Sequence, residues 1–359
     1  MIVVVGAGIA GLSLAWALLQ KGADVTVLEA ASVGSGASGA ATCYLEPRLG
    51  TTPIRRLEWE GLQAWEDYAA RLSSDSGTDV EYWREGQIRV TLAENLERFV
   101  ADYDERTDYG WHVDLLSTDE LLQREPMLSP DLVRAAYVPI VRWANGATVC
   151  AAMAVAIEKA GGTIKTGWSV ERLETTASDV IVHSQDGGSV TAETVVFANG
   201  LGANSVAGTP EDLPVSRAVR GVNLVVDMSG AAQPIRHLIK HRDGTLCPRL
   251  GSRLIIGPTY EHGIDHHDVA DDVIEMLYSR AAPIVPGLRD MPLIGVTSGI
   301  RTKIGNGQLA LGRSSANPRV AFSLGHAGSG FLRAPIVGDA LADYLLNGER
   351  HPLLDAVLH

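Results

Sequence analysis

The chain has 359 residues and a mass of 38.2 kDa, more than one ordinary core, so about two domains are expected. Its 46% hydrophobic and 20% charged residues exclude bulk disorder. The net charge of −13 and pI near 5.2 argue against nucleic acid or an anionic membrane as the main partner.

Three cysteines, Cys43, Cys150 and Cys247, stand far apart with no CxxC pair. That spacing predicts neither a disulfide framework nor a zinc site and fits a reducing, cytoplasmic compartment. The opening MIVVVGAG lacks a basic start and a cleavage site, so no signal peptide is expected. No apolar run reaches the roughly 18 residues of a bilayer span.

Ile2 to Val5 is a β-branched run of the kind buried on both faces of a parallel sheet. Gly6, Gly8 and Gly11 follow in GAGIAG, and Ile9 to Leu19 reads as a buried helix ended by Gly22. Asp24 to Leu28 is the next strand, with Glu29 at its end. Strand, glycines, helix, strand and terminal acid make up a dinucleotide-binding fingerprint. The first glycine permits the tight turn, the second lets backbone approach a pyrophosphate, and the third lets helix and strand pack. Glu29, 18 positions past Gly11, is placed for a ribose hydroxyl and favours FAD or NAD over NADP. Val33 to Thr42 contains only small residues, as if a ligand lay along it. An amphipathic helix over 54–72 comes next, with Ile54, Leu57, Leu62, Trp65, Tyr68 and Leu72 on its apolar face.

Later elements are a helix over 149–160 stopped by Gly161-Gly162, strands near 168–173, 180–184 and 190–192, and a buried strand over 194–198 ending in Asn199-Gly200. A closing helix is expected over 336–346, before Gly348.

GAGIAG, Glu29, GSGASGAA, VVFANG at 195–200, SGIRTKIGNGQLALGR at 298–313 and GHAGSGFLRAP at 325–335 occur in the order found in the D-amino-acid oxidase superfamily of flavoproteins. The chain resembles its glycine oxidase (thiamin-pathway) branch over almost its whole length. The resemblance implies an α/β, α+β overall, fold: a Rossmann-like FAD-binding domain of the glutathione-reductase/D-amino-acid oxidase type plus a mixed-sheet substrate domain. Both would be discontinuous, the first from residues 1–80, 148–212 and 300–359, the second from 81–147 and 213–299. It implies non-covalent FAD held by Gly6, Gly8, Ile9, Ala10, Gly11, Glu29 and Ala30; by Ser35, Gly36, Ala37, Ser38, Ala41 and Thr42; by Val170, Ala198, Asn199 and Gly200; and by Gly325, His326, Gly328, Ser329, Gly330 and Phe331.

The chemistry implied is oxidation of a C–N bond by hydride transfer to flavin N5, then imine hydrolysis, with oxygen as acceptor and hydrogen peroxide as product. The protein's task is mainly positioning. Arg301 matches the family's carboxylate-binding arginine, a forked cation suited to a carboxylate. His326 reads as a packed or backbone-contacting residue rather than a base. The sequence also departs from the family: Thr245 replaces a tyrosine, and Gly328 replaces a second arginine, with Arg333 nearby. Tyr44 and Tyr260, with Arg48 close behind Tyr44, stand where glycine oxidase has smaller or more flexible apolar side chains. The expectation is therefore an amine larger than glycine, such as an N-carboxymethyl amino acid. Arg301 would hold the glycine carboxylate, and Arg48, Arg333 or the tyrosines the second group. The products would be glyoxylate and a primary amine.

A D-amino-acid or sarcosine-like oxidase or dehydrogenase is the alternative. A tRNA-modifying flavin domain, disfavoured by the acidic balance, and a non-catalytic flavin-binding protein are the other classes. Family members are often homo-oligomers. The run Glu261-His262-Gly263-Ile264-Asp265-His266-His267-Asp268 invites a metal reading but is taken as a solvated loop, with no metal expected.

Overall fold

The computed structural model describes residues 1–305, 307 and 309–355; Asn306 and Gln308 of the 298–313 motif lie outside the described residues. A six-stranded sheet has the order Ala310–Arg313, Val320–Leu324, Thr194–Phe197, Ile2–Val5, Val25–Leu28, Thr163–Lys165. All neighbours pair parallel except Ala310–Arg313. Alternation sorts the strand residues between two cores. Val4, Val27 and Val196 face helices Ile9–Gln20, Gly146–Lys159 and Gly330–Asn347. Val3, Val5, Val195 and Phe197 face the antiparallel strands Val170–Thr175, Val180–Ser184 and Ser189–Ala192. Burial on both sides is why these strands read as unbroken apolar runs.

A second, nine-stranded sheet is built around Ser216–Asp227. Leu293–Ile304 pairs antiparallel with it along its length, from Ser216↔Ile304 to Val226↔Leu293. The sequence alone suggests that the substrate domain ends at 299, but the ladder runs on to Ile304, so Arg301 is carried by this sheet. A small three-stranded sheet pairs Tyr44–Leu45 and Tyr82–Trp83 with Arg142–Ala144 and fixes Tyr44 opposite Trp143. Among the described residues no helix is long and apolar enough to cross a membrane.

The last helix begins at Gly330, not at 336. The glycine-rich GHAGSG masks its start, and Pro335 lies inside it. Proline has no N–H to offer the carbonyl four residues back. That carbonyl, of Phe331, instead accepts from Trp65 Nε1–H at 2.8 Å. Trp65 comes from the helix Pro53–Ser76, and one turn earlier Gly61 lies against Leu332, where a β-carbon would fall 2.2 Å from its carbonyl oxygen. Trp65→Phe keeps a ring in place but orphans a buried carbonyl, an expected loss of about 1–3 kcal/mol from that group with a cavity term in addition. Urea unfolding checks this; a change below about 0.5 kcal/mol, the range of neutral surface substitutions, would contradict it.

Candidate active site

A cavity of about 540 Å³ opens beyond the carboxyl ends of Ile2–Val5, Val25–Leu28 and Thr194–Phe197 and is roofed by residues of the large sheet. Crevices at strand ends are where open α/β sheets bind ligands. Its floor depends on bare backbone. A β-carbon on Gly6 (φ +106°) would lie 2.7 Å from Asn199 Cα, and one on Gly11 2.0 Å from the Gly6 carbonyl oxygen. Gly11 therefore packs helix on strand and does not line the cavity, whereas Gly6, Gly8, Ile9 and Ala10 do.

Glu29 is held by two backbone donors. Its Oε2 accepts from Ala7 N–H at 2.8 Å and its Oε1 from Ala31 N–H at 2.9 Å. Both oxygens keep lone pairs for a diol. Ser38 turns its hydroxyl onto the helix start, accepting from Ile9 N–H at 2.9 Å. Ala30, Ser35, Gly36, Ala37, Ser38, Ala41 and Thr42 all line the cavity, as do Val170, Ala198, Asn199, Gly200, Gly325, His326, Gly328, Gly330 and Phe331. Ser329 does not; it caps the last helix. His326 Nε2 and Ser323 Oγ are 3.0 Å apart. Burial, reinforced by Arg333, pushes the His326 imidazole down to about 3, so it is neutral at physiological pH.

At the roof, Arg301 lies flat on Gly221, whose absent β-carbon would sit 2.2 Å from Nη2. Its Nη1 donates to the Thr259 carbonyl at 3.2 Å, and its guanidinium stands 4.7 Å from the Tyr260 ring centroid. Tyr44 and Tyr260 are neighbours on the lining, Tyr260 with 57% of its surface exposed. Burial raises the Tyr44 phenol; beside Tyr44, and partly buried, the Tyr260 phenol is raised too. Both stay protonated donors at neutral pH.

Three expected substrate residues lie elsewhere. Arg48 and Arg333 both pair with Glu58, a fully buried carboxylate that Arg55 also approaches at 3.5 Å. A buried carboxylate needs this neutralisation, so the two arginines are consumed structurally. Thr245 is fully buried and accepts from Lys240 Nζ at 3.3 Å, outside the lining. Conversely, Trp168 and His267 line the cavity, although no motif in the sequence marks them for it. His267 belongs to the run expected to be a solvated loop, and its Nδ1 is 3.0 Å from the Ser298 carbonyl oxygen. Among the described residues, no group of three or more His, Cys, Asp or Glu is arranged to hold a metal ion. The three cysteines are free and buried.

A strand-end crevice with a glycine-lined helix start and an oriented terminal acid is the architecture of a dinucleotide-dependent oxidoreductase. The chain matches the DAO family, FAD dependent oxidoreductase, over residues 1–344 and belongs to it. It is 26% identical over 350 residues to glycine oxidase from Bacillus licheniformis, covering 96% of this chain and 92% of that protein. It is 27% identical over 340 residues to an opine oxidase polypeptide from Rhizobium meliloti, covering 90% and 88%. The crystal structure of glycine oxidase from Bacillus cereus ATCC 14579 matches with a TM-score of 0.92 at 25% identity, covering 100% of this chain and 98% of that one. The protein is an FAD-dependent amine oxidoreductase with the α/β fold of that family.

The lining fits FAD. Asn199 Oδ1, Trp168 Nε1 and His326 Nδ1 are buried there with no hydrogen-bond partner. At Gly36 and Gly328 a β-carbon would meet no atom within 4 Å and would project into open space.

Two outcomes are expected. Glu29→Ala removes the paired acceptor and should weaken FAD binding by about 1.5–3 kcal/mol, read by flavin-fluorescence titration of the apoprotein; unchanged affinity would refute the role. Glu58→Gln strips the partner from buried Arg333 at a cost of about 3–5 kcal/mol. Burial would raise the Glu58 carboxyl, but Arg48 and Arg333 hold it below its ordinary 4.5. Its contribution is therefore complete above that value and fades as the pH falls through the lower native one. Denaturation at several pH values should show the loss near neutrality and a flatter acid limb in the variant.

Proposed function

We propose that the protein oxidises the C–N bond of an N-substituted glycine, N-carboxymethyl amino acids included, in the reaction R–NH–CH2–COO⁻ + O2 + H2O → R–NH2 + OHC–COO⁻ + H2O2. The observation that carries this is Arg301, a lining cation with no carboxylate within 4.0 Å among the described residues. The buried arginines Arg106, Arg220 and Arg333 each have one, and buried Arg249 spends its donors on the Thr42 and Pro248 carbonyls. A forked cation left open over a cavity suits a carboxylate. The relatives named glycine oxidase and opine oxidase support the amine class, and an opine is itself a secondary amine with carboxylate-bearing arms.

When bound, FAD supplies the two-electron acceptor, its N5 taking hydride from the carbon beside nitrogen. Gly6, Gly8, Glu29 and the 33–42 loop would hold the cofactor. Arg301 would clamp the glycine carboxylate, Tyr44 and Tyr260 would offer hydroxyls at the rim, and neutral His326 would pack without taking a proton. In this reading 1–80, 148–212 and the end of the chain carry the flavin, and 81–147 and 213–299, extended to Ile304, carry the substrate.

The test is peroxide production and anaerobic flavin bleaching by the purified holoprotein with glycine, sarcosine, D-alanine, D-proline and N-carboxymethyl amino acids. Activity concentrated on N-substituted glycines is expected; turnover of free glycine or D-amino acids alone would sink the reading. Arg301→Met should lower kcat/KM by about a hundredfold or more, from two charge-assisted hydrogen bonds of about 1.5–3 kcal/mol each. Arg301→Lys should recover only part, because an ammonium lacks the fork. Equal activity of Arg301→Met and the native enzyme would refute the clamp.

A further inference from the structure

We infer that Lys240, which stands behind the lining residue Tyr44, is a second anion-binding position for this cavity, reading the distal carboxylate of a dicarboxylate amine. This rests on the N-substituted glycine reading and names the substrate class within it.

Lys240 lies on Leu238–His241, paired with Thr245 on the next strand and with Arg89 on the other side. Its ammonium stands 5.5 Å from the Tyr44 ring centroid and donates to Thr245 Oγ1 at 3.3 Å. Among the described residues it has no carboxylate within 4.0 Å. The nearby acids are already matched: Glu46 accepts from Arg89 and Arg106, and Asp102 pairs with the same two arginines. Two anions against two arginines leave the lysine as the unmatched charge of the cluster. Its side chain is partly exposed, and although burial lowers its pKa, the nearby Glu46 carboxylate raises it again.

Arg301 and Lys240 thus bracket the tyrosine pair, one stacked on Tyr260 and the other on Tyr44. A substrate whose glycine carboxylate sits on Arg301 and whose nitrogen lies over the reacting edge has its other arm directed along the tyrosines toward Lys240. The short Thr245 side chain makes room for the ammonium. This is the role the sequence suggests for Arg48 and Arg333, which Glu58 occupies instead.

The experiment compares iminodiacetate with N-ethylglycine, similar in length but with one carboxylate fewer, in the holoenzyme. Lys240→Met should raise KM for iminodiacetate about tenfold or more, one lost ionic contact, with kcat nearly unchanged. It should leave kcat/KM for N-ethylglycine within about twofold. Lys240→Arg should restore the preference, and Thr245→Tyr should reduce it by taking the ammonium's place. Circular dichroism and flavin content verify folding, and Lys240→Arg keeps the test open if Lys240→Met fails to fold. Equal effects on both substrates, or none on either, would overturn the assignment while leaving the amine-oxidase reading intact. Turnover of neither substrate by the native enzyme would overturn both.

Discussion

The close approach of bare backbone at Gly6 governs the rest of the site. The end of Ile2–Val5 must reach the Ala198–Asn199 backbone on one side and receive the Ile9–Gln20 helix on the other, with a β-carbon excluded at both contacts. Only then do the start of the helix, Glu29 and Asn199 face a common crevice. The small-residue loop seals it: Gly34 N–H donates to the Ala7 carbonyl at 2.9 Å, Gly39 N–H donates to the Gly34 carbonyl at 2.8 Å, and Asn223 of the large sheet donates to the Ala40 carbonyl at 2.8 Å. The loop is thereby tied to both sheets, and the two halves of the cavity are set relative to each other by hydrogen bonds through a segment with almost no side chains.

Above this floor the arginines are sorted by their partners. Glu58 collects Arg48, Arg55 and Arg333; Glu46 and Asp102 collect Arg89 and Arg106; Glu261 collects Arg220. Arg249 is tied to main-chain carbonyls of the flavin loop and its own strand. Burying a cation without a partner is costly, so these acids and carbonyls are part of the scaffold. A cation beside the cavity with no carboxylate differs in kind from one that is merely buried, and Arg301 and Lys240 fill that description. The Arg220–Glu261 pair adds to the scaffold in another way: Glu261 also accepts from the Thr259 hydroxyl at 2.5 Å, and that hydroxyl accepts from Val222 N–H at 2.9 Å. The network stiffens the turn that presents Tyr260 and offers the Thr259 carbonyl to Arg301.

What is legible in the sequence is local. The strand–glycine–helix–strand–acid run, the small-residue loop and the buried strand ending at Asn199 have signals set by near neighbours, and their residues fall on one crevice. Arg301 is legible by resemblance. The fates of Arg48 and Arg333 are not, because Glu58, ten positions beyond Arg48 and far from Arg333 in sequence, reads on its own as one more helix carboxylate. Lys240 is invisible for the opposite reason: its neighbours Tyr44, Glu46 and Arg89 come from distant segments. The last helix starts earlier than its pattern suggests because a glycine-rich run leads straight into its first residue, Gly330, and the tryptophan that compensates for Pro335 lies 266 positions from the carbonyl it serves. The strand Leu293–Ile304 runs past position 299 because a strand's end is set by its partner, here Ser216, and not by its own composition.

The same charge pattern bears on the proton that an amine must lose before its C–H bond is oxidised. Of the ionisable lining groups, Glu29 is turned to backbone amides, His326 is kept neutral with a pKa of about 3, and the Tyr44 and Tyr260 phenols are raised, while Glu171 and His267 also border the cavity. In the proposed pose Arg301 and Lys240 each face a substrate carboxylate, so their charge is largely offset at the nitrogen between them. The form that gives up hydride is the neutral amine, and the lining acceptors open to its proton are Glu171 and His267. In this reading the two cations fix the substrate through its carboxylates, and the placement of its reacting carbon is the protein's main contribution.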